Sequence, residues 1–241
     1  GSIPVVAGKA NVRLELAKNK KDSVIFWAET GNHDDAIFVM HWNNRTMTLK
    51  DTLKANQEKY DAFWAQKDVV LTGATAEEVV LNRPFAQLNI GTSDKQIAAD
   101  AGIVVTQSQV VVETPSVFSL QDGSVSTPKS VTYEMSDIYT GTFPVGGNEY
   151  LSLNYLLVGA DEKALVDVAF SYKDAEDPDA YNLNFSSIPV QRNYRTNIYG
   201  TLLTNAADYT VTIDANFGNN NNDVLVWDGK TVTEPKQDEN G

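Results

Sequence analysis

Along most of this chain hydrophobic and polar residues alternate, and that alternation predicts strands. Val12, Leu14 and Leu16 alternate with Arg13 and Glu15, the pattern of a half-buried strand. The polar run 18–22 reads as a turn. Residues 23–29 form a short, strongly β-prone apolar run, as expected of a central strand. A loop at 31–35 leads to a second β-prone run over 36–42, and Met47 and Leu49 mark another short strand. Over 51–66 the spacing changes. Leu53, Tyr60, Phe63 and Trp64 stand at helix-like intervals, with Lys54, Glu58 and Lys59 between them, which predicts a short helix or helical loop. Strands at 68–72 and 78–81 flank a turn at 72–75.

The stretch 82–92 organises the rest. Phe85, Gln87 and Asn89 fall on one face of a strand, and Ala86, Leu88 and Ile90 on the other. Pro84 lacks a backbone donor and belongs at the strand's start. Gly91, Thr92, Ser93 and Asp94 read as a turn. After a small polar segment at 95–102, read as a linker or a helical turn, a new set of strands begins. The stretch is therefore expected to close a first domain, 1–97, ahead of a second, 98–218. In that second part, strands are predicted at 110–113 and 117–120, with Pro115 between them marking an edge or bulge, and at 130–135. Strands at 150–158 and 164–172 are expected to pair as a hairpin, with further strands near 183–188, 197–202 and 208–214. Short strands, frequent turns and almost no helix point to all-β sandwiches. The asparagine run 219–222 and the polar residues after it read as a linker, 219–241, toward a further module. Trp227 stands out as an isolated aromatic that needs a partner.

Composition narrows the classes. The chain has 241 residues, 42% of them hydrophobic, enough for two sandwiches of roughly 100 residues each. A net charge of −13 argues against nucleic acid, because phosphate binding needs a Lys/Arg surface. No cysteine is present, so disulfides and thiolate metal sites are excluded. No apolar run approaches the roughly 18 residues that a membrane-spanning helix needs. Gly1 and Ser2 resemble a tag remnant, and the chain reads as a piece of something longer.

Candidate chemistry is thin. The two histidines, His33 and His41, are eight apart with a loop expected between them, a poor basis for a metal pair. A serine hydrolase would need one of them as base with an orienting acid, and no Gly-x-Ser-x-Gly elbow or phosphate-cradling glycine loop occurs. No catalytic, cofactor or metal residue is assigned. Asp174, Glu176, Asp177 and Asp179 cluster as calcium ligands do but without EF-hand spacing, and a solvated turn is the simpler reading. Trp27, Trp42 and Trp64 could stack a sugar or could be core. Arg192 and Arg195 could be surface strand charges, an internal ion pair or a clamp between domains.

Three blocks stand together: Phe26-Trp27-Ala28-Glu29; Tyr60-Asp61-Ala62-Phe63-Trp64 leading to Arg83-Pro84-Phe85 with Gln87, Asn89 and Gly91; and residues 188–200, with Pro189, Arg192, Asn193, Arg195, Thr196, Asn197, Tyr199 and Gly200. In order and spacing they resemble the fimbrillin-like proteins of Bacteroidales, the type V pilin superfamily, over about residues 8–217. That resemblance implies two tandem transthyretin-like (Greek-key) β-sandwich domains. It implies a fimbrial subunit or adhesin at the outer membrane or in the fimbrium, exported through the periplasm and anchored by a lipidated cysteine upstream of Gly1. Its partners would be other fimbrial subunits. In such subunits a protease cuts after Arg or Lys, removing the first strand, and a neighbour's terminal segment fills the groove by β-augmentation. The family's first strands and cleavage site would precede Ile3. The tail from Val224 resembles connectors to further surface modules, so stalk and tip subunits both fit. The alternative is a surface module that binds carbohydrate or a host ligand.

Overall fold

The computed structural model describes residues 3–30, 36–73, 76–159, 163–177, 179–205, 208–215, 224–227 and 232–233. It is all-β, with strands β1 (Lys21–Glu29), β2 (Phe38–His41), β3 (Thr46–Leu49), β4 (Leu53–Lys54), β5 (Ala62–Val70) and β6 (Phe85–Thr92). The single short α-helix among the described residues, α1 (Lys95–Asp100), falls where a linker or helical turn was expected. Then follow β7 (Val105–Ser119), β8 (Val125–Asp137), β9 (Glu149–Leu157), β10 (Ala164–Asp174), β11 (Tyr181–Val190), β12 (Arg195–Gly200), β13 (Tyr209–Asp214), β14 (Val224–Trp227) and β15 (Val232–Thr233).

Two large sheets pack in a sandwich-like arrangement. One runs β11-β10-β7-β3-β2, with β8 on the other edge of β7 and β4 beyond it; the other runs β15-β14-β13-β12-β6-β9. In β7 the buried positions alternate, among them Ser108, Val110, Val112 and Phe118, as they should on a strand with one face in the core. Across the sandwich, Phe185 of β11 meets Tyr209 of β13 edge-on at 5.0 Å, and Ser108 of β7 donates to the Leu151 carbonyl of β9.

β6 is the most enclosed strand among those whose burial is described. All eight of its residues are buried, because it is hydrogen-bonded on both edges and covered on both faces. It pairs antiparallel with β9 and parallel with β12, and Phe85 stacks beneath Phe38 at 6.4 Å. Pro84 does precede the strand. Both partners of β6 come from beyond residue 97, and β3 pairs with β7, so hydrogen-bonded sheets continue across that position.

Several local expectations are corrected. Residues 12–16 are in no sheet: Val12 and Leu14 stand 45% and 47% exposed. Alternation supplies a strand's side chains but no partner for its backbone. The helix expected over 51–66 is replaced by β4, a 3-10 turn at Glu58–Tyr60 and β5. From Ala62 the chain pairs antiparallel with β1, matching Trp27 to Trp64 and Ala28 to Phe63, and such cross-strand pairs outweigh weak helical spacing. Residues 78–81 lie outside any strand, and 68–70 are the end of β5. The strands expected at 110–113 and 117–120 are one strand, β7. Pro115 sits where one edge of β7 changes partner, from β10 up to Val112 to β3 from Val117, so no ladder bond on that edge is lost. β9 and β10 do not form a hairpin: β9 joins β6 in one sheet, and β10 joins β7 and β11 in the other. Within the expected linker 219–241, β14 continues the second sheet beside β13. The asparagine run 219–222 lies outside the described residues, as does His33.

Candidate functional site

The three sequence blocks meet at the lead-in to β6. Asp61 immediately precedes β5, and Arg83 immediately precedes Pro84. The Arg83 Nε donates to both Asp61 carboxylate oxygens, at 2.9 and 2.8 Å. Their side chains are 16% and 9% exposed, and the guanidinium lies 4.6 Å from the Phe63 ring centroid. Burial pushes the Asp61 carboxyl up from its ordinary range, against the opposing pull of Arg83. The third block closes over the same point. The Arg83 backbone N–H donates to Asn193 Oδ1 at 3.3 Å, and the Asn193 N–H donates to the Phe85 carbonyl at 2.9 Å. Asn193 is in the left-handed region, φ 62°, a conformation that asparagine tolerates better than most residues.

Arg192 and Arg195 are tie points within the fold. Arg192, 9% exposed, donates through Nη2 to the carbonyls of Gly123 (2.6 Å) and Val158 (2.9 Å), and its guanidinium sits 5.1 Å from the Phe118 ring. It thereby joins the β7–β8 turn to the end of β9. Trp64 supports the same turn, donating Nε1–H to the Leu120 carbonyl and meeting Phe118 edge-on at 5.2 Å. Trp27 packs edge-on against Phe38 at 4.9 Å. Of Trp27, Trp42 and Trp64, only Trp42 is exposed.

A row of amides crosses the second sheet. Arg195 Nε donates to Gln87 Oε1 (2.8 Å), Gln87 Nε2 to the Tyr155 hydroxyl (3.2 Å), and Asn89 Nδ2 to Asn197 Oδ1 (2.9 Å). The parallel register sets Arg195 beside Gln87 and Asn197 beside Asn89, so each of these polar side chains has a polar one opposite it. Thr196 Oγ1 donates to the Pro189 carbonyl at 2.7 Å. Two glycines of the blocks are required by close approach: a Cβ on Gly91 would lie 2.5 Å from the Phe143 ring, and one on Gly200 would lie 2.2 Å from the Asp208 carbonyl oxygen. Tyr199 meets Phe143 edge-on at 6.4 Å. Gly200→Ala should therefore destabilise by about 3 kcal/mol, and Gly91→Ala by less, because a backbone oxygen cannot swing aside as a ring can. Urea unfolding of the two variants checks the order.

Sequence reasoning passed over Asp94 and Asn56. Asp94 is buried beneath the turn after β12. It accepts hydrogen bonds from Thr92 Oγ1, from the backbone N–H and hydroxyl of Thr204 (2.8 and 2.7 Å) and from the Leu203 N–H (3.4 Å). Burial works against its charge, but the donors outweigh burial and hold the carboxyl below its usual range. Its position just before α1 is the one signal that could have marked it. Asn56, left-handed at φ 64°, bridges Ser108 and the Leu153 N–H, and no local pattern singles it out.

These contacts join strands and turns. His41 Nε2 lies 2.8 Å from Thr48 Oγ1 on the neighbouring strand. Among the described residues no group of three His, Asp or Glu side chains is placed to hold a metal. In the acidic loop, Asp174 Oδ1 accepts the N–H groups of Glu176 and Asp177, the pattern of a self-capped turn. No described helix is long and apolar enough to cross a membrane.

Crystallised proteins to which the chain is similar in structure include three from Bacteroidales. One is a candidate cell adhesion protein of Bacteroides ovatus (11% identity, TM-score 0.41, covering 83% of this chain and 69% of that one). Another is a candidate cell adhesion protein of Bacteroides uniformis (14%, 0.38, 72% and 68%). The third is a fimbrial assembly protein of Parabacteroides distasonis (13%, 0.40, 93% and 75%). No curated protein matches the sequence. The model of a family of unknown function, DUF6562, matches residues 5–234, and the chain belongs to that family.

Proposed function

We propose that this chain is a non-catalytic structural subunit or adhesin of a bacterial surface fimbria, carried at the cell surface or outer membrane, and that it assembles with other subunits by β-strand exchange. The observation that carries the reading is the β1–β5 ribbon. β1 has the sequence of a central strand, with Val24, Phe26 and Ala28 on one face and Ile25 and Trp27 on the other. It nevertheless lies in a two-stranded sheet and is only half-buried along most of its length. A two-stranded ribbon is marginal by itself. The other edge of β1 carries no strand among the described residues. Close by in the chain, residues 12–16 have a strand's side chains and no sheet. An open edge and an unpaired strand segment are the two halves of a β-augmentation contact. Within one chain they remain apart, and between copies they complete each other.

Concentrated or protease-treated protein should give ladders on partially denaturing gels. Leu14→Asp should suppress the ladders while changing the monomer's unfolding free energy by no more than about 0.5 kcal/mol, since Leu14 is outside the core. Undiminished ladders in that variant would remove the segment from the contact, and a wild type that stays monomeric under every condition would remove strand exchange.

A further inference from the structure

Trp42 is 60% exposed at the tip of the β2–β3 hairpin, whereas Trp27 and Trp64 are half-buried against Phe38 and Phe118. Leaving an indole in water forfeits the burial that the other two gain, so its place in the fold is not explained by packing. The tip is held rigidly. The Asn44 N–H donates to the His41 carbonyl (3.1 Å), the Arg45 N–H to the Trp42 carbonyl (3.2 Å), and the Leu120 N–H to the Arg45 carbonyl (2.8 Å). Arg45 closes the turn in the left-handed region, φ 52°. The hairpin is tied both to itself and to the end of β7, so presenting the ring to a ligand costs little further ordering.

The neighbours of the ring define what it suits. His41, Asn43, Asn44 and Arg45 are all exposed. The residues on either side of Trp42 in the chain thus bring amide, imidazole and guanidinium groups to the tip, unlike the apolar surround that a protein hot spot uses to exclude water. A nucleic acid is excluded by the net charge of −13, and the same charge opposes an anionic lipid surface. A neutral pyranose has the complementary chemistry: an apolar C–H face for the indole, and hydroxyls that both donate to and accept from the two asparagine amides.

We infer that the β2–β3 hairpin tip is a carbohydrate contact, with Trp42 stacking on a neutral sugar ring and Asn43 and Asn44 bonding its hydroxyls. The inference rests on the surface placement proposed above and not on strand exchange. The test is NMR titration of the monomer with soluble hexaoses of glucose, mannose and N-acetylglucosamine, together with binding to immobilised mucin before and after chemical deglycosylation. At least one hexaose should shift the Trp42 indole N–H resonance saturably. Trp42→Ala should weaken that binding about tenfold or more with an unchanged melting curve, and Trp42→Phe should retain part of it. Mucin binding should be lost on deglycosylation. An unmoved Trp42 resonance across the panel, or Trp42→Ala binding like wild type, would overturn the inference. So would retention on deglycosylated mucin that depends on Trp42, which would assign the tip to a protein partner. None of these readouts depends on ladder formation.

Discussion

Replacing Arg83 with alanine should cost the fold about 3–5 kcal/mol, because it leaves the Asp61 carboxylate buried without its cation. For a chain of this size that lowers the melting temperature by on the order of 10 °C. Arg83→Lys keeps the charge but loses the planar fork and the stacking over Phe63, and should fall between alanine and wild type. The double variant Asp61→Leu/Arg83→Met removes both charges together and should be more stable than Arg83→Ala alone. A pH series adds a signed check. In Arg83→Ala the opposing pull of Arg83 is gone, and burial raises the Asp61 carboxyl further above its unfolded value than in wild type. The native state then holds the proton more tightly than the unfolded chain, so the variant should regain stability relative to wild type as pH falls toward the acid range. A loss below 1 kcal/mol at neutral pH, or a double variant worse than the single, would mean that the pair does not hold the junction.

Asp94→Asn is the second large expected effect. The Asp94 carboxylate gathers two hydroxyls and two backbone N–H groups where β6, α1 and the turn after β12 meet. An amide supplies only one acceptor oxygen and turns an NH2 toward a donor. Hydrogen bonds to a charged group are worth about 1.5–3 kcal/mol each, so a loss of roughly 3 kcal/mol is expected in denaturant unfolding near pH 7. The native carboxyl is held below its unfolded value, so this contribution is complete above the ordinary aspartate range. It is lost as pH falls from the ordinary aspartate range through the depressed native value. The gap between wild type and Asp94→Asn should be constant from about pH 5 upward and close on acidification. A gap that widens in acid would contradict the assignment.

Much of the strand content was legible because a half-buried strand leaves its period in the chain. β1, β7, β10 and β13 lie on or around runs whose alternation or β-branching marked them. The strands went wrong where the pattern was borrowed. Residues 12–16 alternate and pair with no strand among the described residues. Residues 51–66 carry aromatics at helical spacing, yet those at 62–64 pair with β1. At the lead-in to β6, Asp61, Phe63, Arg83 and Asn193 were legible as members of the sequence blocks. Their contacts were not, since Asp61 and Arg83 lie 22 positions apart and Arg83 and Asn193 lie 110 apart. Asp94 and Asn56 escaped because one buried polar side chain leaves no periodic trace.

The amino-acid sequence by itself determined the class: an acidic, cysteine-free, all-β chain with no recognisable catalytic triad or phosphate loop. Which strands pair was decided only in three dimensions. β6 was expected to close one domain; in the sheet it lies between β9 and β12, both from beyond residue 97. The physical reason is that side-chain period reports which faces are buried, whereas pairing is decided by whichever distant backbone brings free N–H and C=O groups and a complementary face. For β6 those came from strands more than 50 residues later in the chain.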